Sequence, residues 1–250
     1  MSNQKNDLIN FLNLAADYLQ DGHSRHSEVT VQEDKPDLPL AYLIDEDEEP
    51  VDSCDSRESL EVVAAEITAC KACVLAETRT LAVPGEGSER PLVMVIGEGP
   101  GADEDRAGRP FVGRAGQLLD KMLASIGLFR EENCFIANMV KCRPPGNRDP
   151  DPREMAACFS FLKRQILLLQ PRLILCAGRV SAQSLLKTSQ GINTLRGKFV
   201  DLEVGEIVIP VLPTFHPSAI LRDESLKRPA WEDLKLLKSH LDSFESNDKE

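Results

Sequence analysis

One stretch, residues 92–123, constrains the fold more than any other part of the chain. It opens with the apolar run LVMVI at residues 92–96, which predicts a short buried strand. The glycine-rich run GEGPG follows at once at residues 97–101, and glycine lets a ligand approach the main chain because it has no Cβ. Three acidic residues, the isolated aromatic Phe111 and leucines at helical spacing come next. This order of strand, glycine turn and helix predicts a pocket at the carboxyl end of a strand in an open α/β sheet.

A nucleotide-binding turn is the alternative for this stretch. Gly97 and Gly99 supply half of the dinucleotide-binding fingerprint, but Pro100 interrupts it and the third glycine is displaced. The carboxylates at residues 103–105 would also repel phosphates. Dinucleotide binding is therefore the less favoured interpretation.

Strands and helices alternate along most of the chain. Apolar runs predict further strands at residues 134–140, 173–176 and 207–212. Apolar spacing predicts helices at residues 57–69, 152–169, 179–187 and 228–244. The alternation indicates an α/β domain with a parallel sheet and helices on both faces.

The first 55 residues differ in composition from the rest. Residues 1–55 hold 14 acidic and 3 basic residues, a net charge of −11, and residues 56–250 hold 27 and 26, a net charge of −1. Residues 6–20 have amphipathic helical spacing, and the proline-rich acidic segment that follows predicts a disordered linker. We expect an N-terminal extension at 1–55, a folded domain at 56–245 and a tail at 246–250. The near-neutral domain allows a basic groove for nucleic acid.

The cysteines suggest a metal centre. No apolar run approaches the roughly 18 residues of a membrane helix, and no secretory leader precedes the domain, so we expect a cytoplasmic protein without a membrane partner. Thiols in that compartment indicate metal binding or chemistry before disulfides. Cys70 and Cys73 form a C-x2-C pair, and Cys142 and Cys158 complete a candidate set of four. Their spacing leaves zinc, an iron–sulfur cluster and unliganded thiols open.

Four motifs together resemble the family 4 uracil-DNA glycosylases, the iron–sulfur branch of that superfamily. They are GEGPG at residues 97–101, GRPFVG at 108–113, NMVKCRPP at 138–145 and HPS at 216–218. The resemblance covers about residues 57–245. It implies a three-layer α/β/α sandwich around a central four-stranded parallel sheet. It also implies a [4Fe-4S] cluster held by Cys70, Cys73, Cys142 and Cys158, for which we expect a structural role.

The resemblance implies that the protein flips uracil out of single- or double-stranded DNA and hydrolyses its N-glycosidic bond. This reaction leaves an abasic site for base excision repair, and the flipped base is read in a tight pocket. The expected uracil-binding residues are Glu98, Gly99, Pro100, Phe111, Asn138 and His216. We expect His216 to donate a hydrogen bond to the negative charge that develops on the base. Glu98 or Glu104 is expected to orient the attacking water or stabilise the cationic sugar.

The expected DNA contacts follow the same loops. Lys141, Arg143, Arg148 and Arg222 are candidates for phosphate contacts, and Leu221 for a wedge into the space that the base leaves. We expect the domain to act as a monomer. The N-terminal extension is expected to recruit a replication or repair protein.

Two other functions stay open at this point. An iron–sulfur or zinc module would dock nucleic acid or a polymerase without catalysis, but such a binder has no need of Glu98, Asn138 and His216 together. Within the enzyme class, hypoxanthine or xanthine are alternative lesions. Asn138 favours uracil over them without excluding them.

Overall fold

A computed structural model describes residues 58–247, so the predicted N-terminal extension lies outside the described part of the chain. Six strands form one sheet in the order β1-β3-β2-β4-β6-β5. The strands are β1 (Glu86–Gly87), β2 (Val93–Gly97), β3 (Cys134–Asn138), β4 (Leu173–Ala177), β5 (Val200–Val204) and β6 (Ile207–Thr214).

The four central strands, β3, β2, β4 and β6, are all parallel, which confirms the predicted parallel sheet. Their register brings the last residues of neighbouring strands level, with Gly97 beside Asn138 and Ala177 beside Thr214. Two antiparallel edge strands, β1 and β5, extend this sheet and were not predicted. The carboxyl ends of the four parallel strands therefore form one common edge.

Nine helices surround the sheet in the described residues. They are α1 (Leu60–Ala69), α2 (Leu75–Thr78), α3 (Ala102–Ala107), α4 (Arg114–Ala124), α5 (Pro152–Leu169), α6 (Arg179–Leu185), α7 (Ile192–Leu195), α8 (Pro217–Arg222) and α9 (Lys227–Asn247). The predicted tail begins within the last turn of α9. No described helix combines the length and the apolarity that crossing a membrane requires.

Alternating strand residues build two cores, one on each face of the sheet. Val93 and Val95 face one side, where they pack with residues of α4 and α9, and Met94 and Ile96 face the other, where they pack with residues of α5. All four side chains are fully buried, as expected for parallel strands covered on both faces. The arrangement is the predicted three-layer α/β/α sandwich.

The helix α5 is specified by its first turn. Asp151 is the N-cap and accepts a hydrogen bond from the Arg153 N–H, Pro152 occupies the first helical position, and the Glu154 carboxylate accepts from the Asp151 N–H. Each device satisfies or removes a backbone donor that the first turn would leave unpaired. The predicted helix at residues 152–169 is confirmed, and it carries Cys158 alongside the sheet.

Candidate active site

The motif residues meet at the carboxyl edge of the parallel sheet. Gly97 ends β2, Asn138 ends β3, and His216 lies two residues beyond the end of β6. Gly178 follows β4, and a Cβ there would lie 2.9 Å from the Cβ of His216. This edge is where open α/β sheets bind ligands.

Gly97, Phe111 and Asn138 form the floor of the pocket. A Cβ on Gly97 would lie 2.6 Å from Cζ and 2.7 Å from Cε2 of Phe111, and it would also collide with Oδ1 of Asn138. Only glycine leaves room for both side chains at this position. The Phe111 ring is buried and lies 5.7 Å from the His216 ring, between centroids. An aromatic ring, an amide and an imidazole therefore lie together at this edge of the sheet.

The loop that carries Phe111 is held by the carboxylate of Glu104. Oε1 of Glu104 accepts hydrogen bonds from the N–H groups of Val112 (2.9 Å) and Gly113 (2.8 Å), and Oε2 accepts from the Gly101 N–H (3.1 Å). These contacts join the glycine turn to the Phe111 loop. Glu104 was predicted as one of two candidate catalytic acids, but its hydrogen bonds serve to position the loop.

Arg130 holds the same loop from the other side. Its guanidinium donates to the carbonyls of Pro110 (2.6 Å) and Phe111 (2.9 Å), and it pairs with the carboxylates of Glu86 and Asp120. Phe111 itself has a φ of 51°, in the left-handed region that costs a non-glycine residue free energy. The salt-bridged arginine stabilises that backbone. Sequence reasoning missed Arg130 and Glu86, because nothing in the sequence distinguishes them from solvated surface charges.

Asn138 has a buried acceptor that is not satisfied. The residue is 2% exposed, and its Oδ1 is buried without a hydrogen-bond partner. Buried acceptors are nearly always paired, because leaving one unpaired costs about 1–3 kcal/mol. The oxygen is therefore left for a hydrogen-bond donor that the described chain does not supply.

His216 is held as a neutral imidazole. Its Nδ1 accepts a hydrogen bond from the Ser218 N–H at 3.1 Å, and Oγ of Ser218 lies 2.8 Å from the same nitrogen. A nitrogen that accepts from a backbone N–H carries no proton, so the ring proton is on Nε2. Burial, with a smaller contribution from the Arg222 charge, lowers the pKa of His216 to about 4. At neutral pH the residue is therefore a neutral Nε2–H donor.

The strand end that carries His216 is anchored by a buried ion pair. Oδ2 of Asp233 accepts hydrogen bonds from Oγ1 of Thr214 (2.7 Å) and Nε of Arg196 (3.0 Å), and its Oδ1 accepts from the same guanidinium at 2.7 Å. The Arg196 guanidinium also lies 5.2 Å from the ring centroid of Phe215. These contacts fix the two residues that precede His216. No sequence pattern pointed to Asp233 or Arg196.

Glu98, which directly follows β2, has a strongly perturbed pKa. Burial and the negative charge of Asp149 raise the pKa of Glu98 to about 7, against the opposing charge of Arg179. Its carbonyl accepts from the Val140 N–H at 3.2 Å, which continues the pairing of β2 and β3 past the strand ends. A titratable group whose pKa is strongly shifted by burial is a candidate for a catalytic role.

The two residues after Glu98 lie against the loop that follows β3. A Cβ on Gly99 would lie 2.8 Å from Cγ2 of Val140, so the main chain approaches that side chain closely. Pro100 is buried. The predicted base-binding run Glu98-Gly99-Pro100 therefore lies at the same sheet edge as Asn138.

Two of the side chains that were predicted to contact phosphates form hydrogen bonds within the protein instead. Lys141 is 1% exposed, and its Nζ donates to the Asn138 carbonyl (3.0 Å) and to Oε1 of Gln165 (2.7 Å). The prediction that Lys141 contacts DNA is wrong, because a buried ammonium cannot reach a phosphate. Arg148 forms two hydrogen bonds with the Glu154 carboxylate, at 2.8 and 2.6 Å, so it braces the start of α5.

The other predicted DNA contacts lie nearer the surface. Arg222 is exposed beyond His216, with one nitrogen 3.5 Å from Oγ of Ser218. Arg143 is partly buried and donates to Oδ1 of Asn147 at 2.8 Å. Leu221 is half-buried and packs against the core beneath α8. All three stay candidates for DNA contact.

The four predicted ligand cysteines come together beside α5. Cys142 and Cys158 are buried in an apolar cluster, and Cys73 packs against it. Burial raises the pKa of the Cys142 thiol, the Arg79 guanidinium opposes that shift, and the sulfurs of Cys73 and Cys70 lie close enough to raise it further. Residues far apart in the sequence thus form one thiol group.

Hydrogen-bond donors surround these sulfurs. Arg79 donates to Sγ of Cys142 at 3.0 Å, and the Lys141 N–H donates to Sγ of Cys158 at 3.2 Å. Within residues 58–247, no three Cys, His, Asp or Glu side chains are arranged to hold a single metal ion. A four-iron cluster is bound by one thiolate on each iron, so its ligands need not converge on one point. Four sulfurs with N–H donors and apolar walls fit a cluster of this type.

The structure is an α/β protein in which an aromatic ring, a buried amide and a neutral imidazole lie together at the carboxyl edge of a parallel sheet. The sequence profile of the uracil DNA glycosylase superfamily matches residues 84–235. The Type-4 uracil-DNA glycosylase of Archaeoglobus fulgidus is 42% identical over 182 residues, which cover 71% of this chain and 91% of that protein. The Type-4 enzyme of Thermotoga maritima is 43% identical over 187 residues, covering 74% and 95%. That of Sulfurisphaera tokodaii is 42% identical over 185 residues, covering 72% and 84%.

The chain therefore belongs to the uracil DNA glycosylase superfamily and, within it, to the type-4 uracil-DNA glycosylases.

Proposed function

We propose that this protein flips uracil out of DNA and hydrolyses its N-glycosidic bond, leaving an abasic site for base excision repair. The observation that carries the proposal is the buried, unpaired Oδ1 of Asn138 beside the Phe111 ring and the neutral His216. Family membership supports the same reaction, since the type-4 relatives are named for it. The substrate is uracil-containing DNA, single- or double-stranded.

The base is read by Asn138 and Phe111. Uracil presents an N3–H donor next to its O4 acceptor, and the Asn138 amide offers Oδ1 to the first and its NH₂ group to the second. Cytosine has an acceptor at N3 and a donor at N4, so in this amide orientation both pairings are lost. Phe111 supplies a face on which the flipped ring stacks. Glu98, Gly99 and Pro100 complete the wall of the base pocket.

His216 acts on the charge that forms as the bond breaks. Cleavage leaves a uracil anion, and the Nε2–H of a neutral imidazole donates a hydrogen bond to the oxygen that gains the charge. One donor of this kind typically lowers the barrier by about 3 kcal/mol. Two features support the assignment: the Ser218 N–H fixes the tautomer, and burial lowers the pKa of His216 to about 4.

We assign the catalytic carboxylate to Glu98. An ionised carboxylate at this edge orients the attacking water or stabilises the cationic sugar. The raised pKa of Glu98, about 7, supports a role that depends on its ionisation. Glu104 is assigned to positioning, because its oxygens accept from three backbone N–H groups of the glycine turn and the Phe111 loop.

We propose that Cys70, Cys73, Cys142 and Cys158 hold a [4Fe-4S] cluster. The donor set of four sulfurs, with Arg79 and a backbone N–H directed at two of them, supports this choice. When bound, the cluster would cross-link the region after α1, the loop after β3 and α5. Hydrolysis needs no electron transfer, so we assign the cluster a structural role.

The surface assignments complete the proposal. Arg143 and Arg222 contact phosphates, and Leu221 enters the space that the base leaves. We further propose that the protein acts as a monomer in the cytoplasm. The acidic N-terminal extension recruits a replication or repair protein. A chain without residues 1–55 that repaired DNA equally well in cells would contradict the last point.

The test is a cleavage assay with purified, iron-loaded protein. A labelled oligonucleotide with a single uracil is incubated with the protein and treated with alkali, which breaks abasic sites, and a thymine oligonucleotide serves as the control. We expect cleavage of the uracil strand alone, with a rate about 100-fold lower for His216→Gln. His240→Gln is the matched control and should cleave like wild type, since the His240 ring stacks on Phe199 and meets Phe244 edge-on. No cleavage by wild type on either single or double strands would favour a binding module.

A further inference from the structure

Lys141 is a cation in the interior of the protein. Its Nζ donates to two neutral acceptors, the main-chain carbonyl of Asn138 at 3.0 Å and Oε1 of Gln165 at 2.7 Å. The Gln165 amide is itself held, because its Nε2 donates to the Pro84 carbonyl at 2.8 Å. Burying an ammonium costs free energy that neutral acceptors offset only in part. We therefore expect the lysine at this position to have a role that an apolar side chain could not perform.

The backbone of Lys141 is tied to the same helix as its side chain. Its N–H donates to Sγ of Cys158 at 3.2 Å, and Cys158 and Gln165 both lie on α5. The Asn138 carbonyl, by contrast, lies at the end of β3. One residue thus connects α5, through two contacts, to the residue that faces the base.

The side chain of Asn138 lacks an anchor on its acceptor side. Its Oδ1 has no hydrogen-bond partner within the described chain. No bond to Oδ1 therefore fixes the direction of the amide, and the position of the Asn138 backbone contributes to it. The hydrogen bond from Nζ of Lys141 to the Asn138 carbonyl holds one side of the peptide unit directly after this residue. The N–H on the other side of that unit, from Met139, donates to the Gly97 carbonyl at 2.9 Å.

We propose that Lys141 is the positioning residue for uracil recognition: it links the end of β3 to the cysteine-bearing helix α5 and so holds the Asn138 amide in the orientation that pairs with uracil. This inference rests on the proposed function and assigns to Lys141 a part in base discrimination. Lys141 touches neither the base nor the reacting atoms.

The test measures binding without turnover. Two oligonucleotides carry a single 2′-fluoro-2′-deoxyuridine or 2′-fluoro-2′-deoxycytidine, since the 2′-fluorine slows bond cleavage by destabilising the cationic sugar. Fluorescence anisotropy gives the Kd of each for wild type and for Lys141→Met, with iron content checked in every sample. For Lys141→Met we expect Kd of the uridine oligonucleotide to rise about tenfold and that of the cytidine oligonucleotide to stay constant.

Two further variants separate discrimination from folding. Gln165→Met keeps the bond from Nζ of Lys141 to the Asn138 carbonyl but removes the side-chain link to α5. We therefore expect a smaller loss of the ratio of the two Kd values than in Lys141→Met. The double variant Lys141→Met/Gln165→Met replaces both buried partners with apolar side chains of similar length, which proteins tolerate better than a single unpaired group. For the double variant we expect the same loss of the ratio of the two Kd values as for Lys141→Met. If Lys141→Met alone does not fold, the double variant provides the test.

The outcomes are distinct. If the variants that lack Lys141 lost both affinities in parallel, or folded and kept the wild-type ratio of the two Kd values, the role of Lys141 would be overturned and the proposed function would stay intact. Wild-type protein that binds the two oligonucleotides equally would instead refute uracil recognition itself, and this inference with it.

Discussion

Replacing Gly97 with alanine tests the geometry of the pocket floor. The added Cβ would lie 2.6 Å from Cζ of Phe111, whereas ordinary van der Waals contact begins at 3.4 Å. The ring would have to retreat by about 0.8 Å, the difference between these two distances, and the Asn138 amide would have to move as well. Phe111 has little freedom to move, because Arg130 and Glu104 hold its loop and a Cβ on Gly116 would collide with its backbone.

The expected loss follows from these distances. Forcing a methyl group into a packed site typically costs about 1–3 kcal/mol of stability, and a displacement near 1 Å in a reactive complex lowers the rate by about 100-fold. We therefore expect Gly97→Ala to fold, to unfold at a lower temperature than wild type, and to cleave uracil DNA about 100-fold more slowly. Single-turnover cleavage and thermal unfolding measure the two effects.

Gly191 provides a matched control. A Cβ there would meet nothing within 4 Å, and its φ of −68° is ordinary for alanine. Gly191→Ala should match wild type in both rate and unfolding temperature. If Gly97→Ala cleaved uracil DNA at the rate of Gly191→Ala, then Phe111 and Asn138 would not form the base site, and the reasoning would fail.

Four further predictions concern the two carboxylates, His216 and the cysteines. Glu104→Gln keeps the Oε1 that accepts from both Val112 and Gly113, so we expect cleavage within about tenfold of wild type, whereas a catalytic role would make the loss far larger. The pKa of Glu98 near 7 predicts that kcat/KM rises with pH through about 7 as the carboxylate ionises, and that Glu98→Gln removes this rise. The pKa of His216 near 4 predicts that no second group ionises between pH 5 and 7. A change of kcat/KM with pH in that range that persists in Glu98→Gln would contradict this prediction. Arg79→Met removes the donor to Sγ of Cys142 and two backbone contacts of the same guanidinium, so we expect about 2 kcal/mol less stability by urea unfolding and less iron per chain. Unchanged iron content and stability would show that Arg79 does not support the cysteines.

The periodicity of the sequence predicted the central fold. Buried parallel strands appear as continuous apolar runs, and the capped first turn of α5 marks where that helix begins. The edge strands lack these signals. β1 is only two residues long, and β5 is mostly exposed, so neither carries a hydrophobic pattern that distinguishes it from a loop.

The pocket residues were found only through the motifs. Phe111, Asn138 and His216 stand in loops and strand ends where propensity and periodicity say little about function. The resemblance of the motif set to a known family supplied their proposed roles, and the structure adds that they lie together.

The supporting residues were not predictable, because their partners are distant in sequence. Lys141 precedes Cys142 and Arg143 in a basic loop and therefore resembles a phosphate contact, yet its partner Gln165 lies 24 positions later and holds it in the interior. Arg130 is 19 positions from Phe111 and 44 from Glu86. Long-range pairings of this kind depend on the fold, which no local pattern encodes.

The most direct test of the central claim is the single-turnover cleavage rate of wild type and Asn138→Ala on oligonucleotides that differ only in one base, uracil or cytosine. The comparison tests whether the buried amide of Asn138 recognises uracil at the carboxyl edge of the sheet. Asn193→Ala, at an exposed position of α7, is the matched control. We predict rapid cleavage at uracil alone by wild type and the control, and a rate at least 100-fold lower for Asn138→Ala, since one positioned pocket group typically contributes about 3 kcal/mol. Equal rates for Asn138→Ala and Asn193→Ala on uracil would contradict the claim.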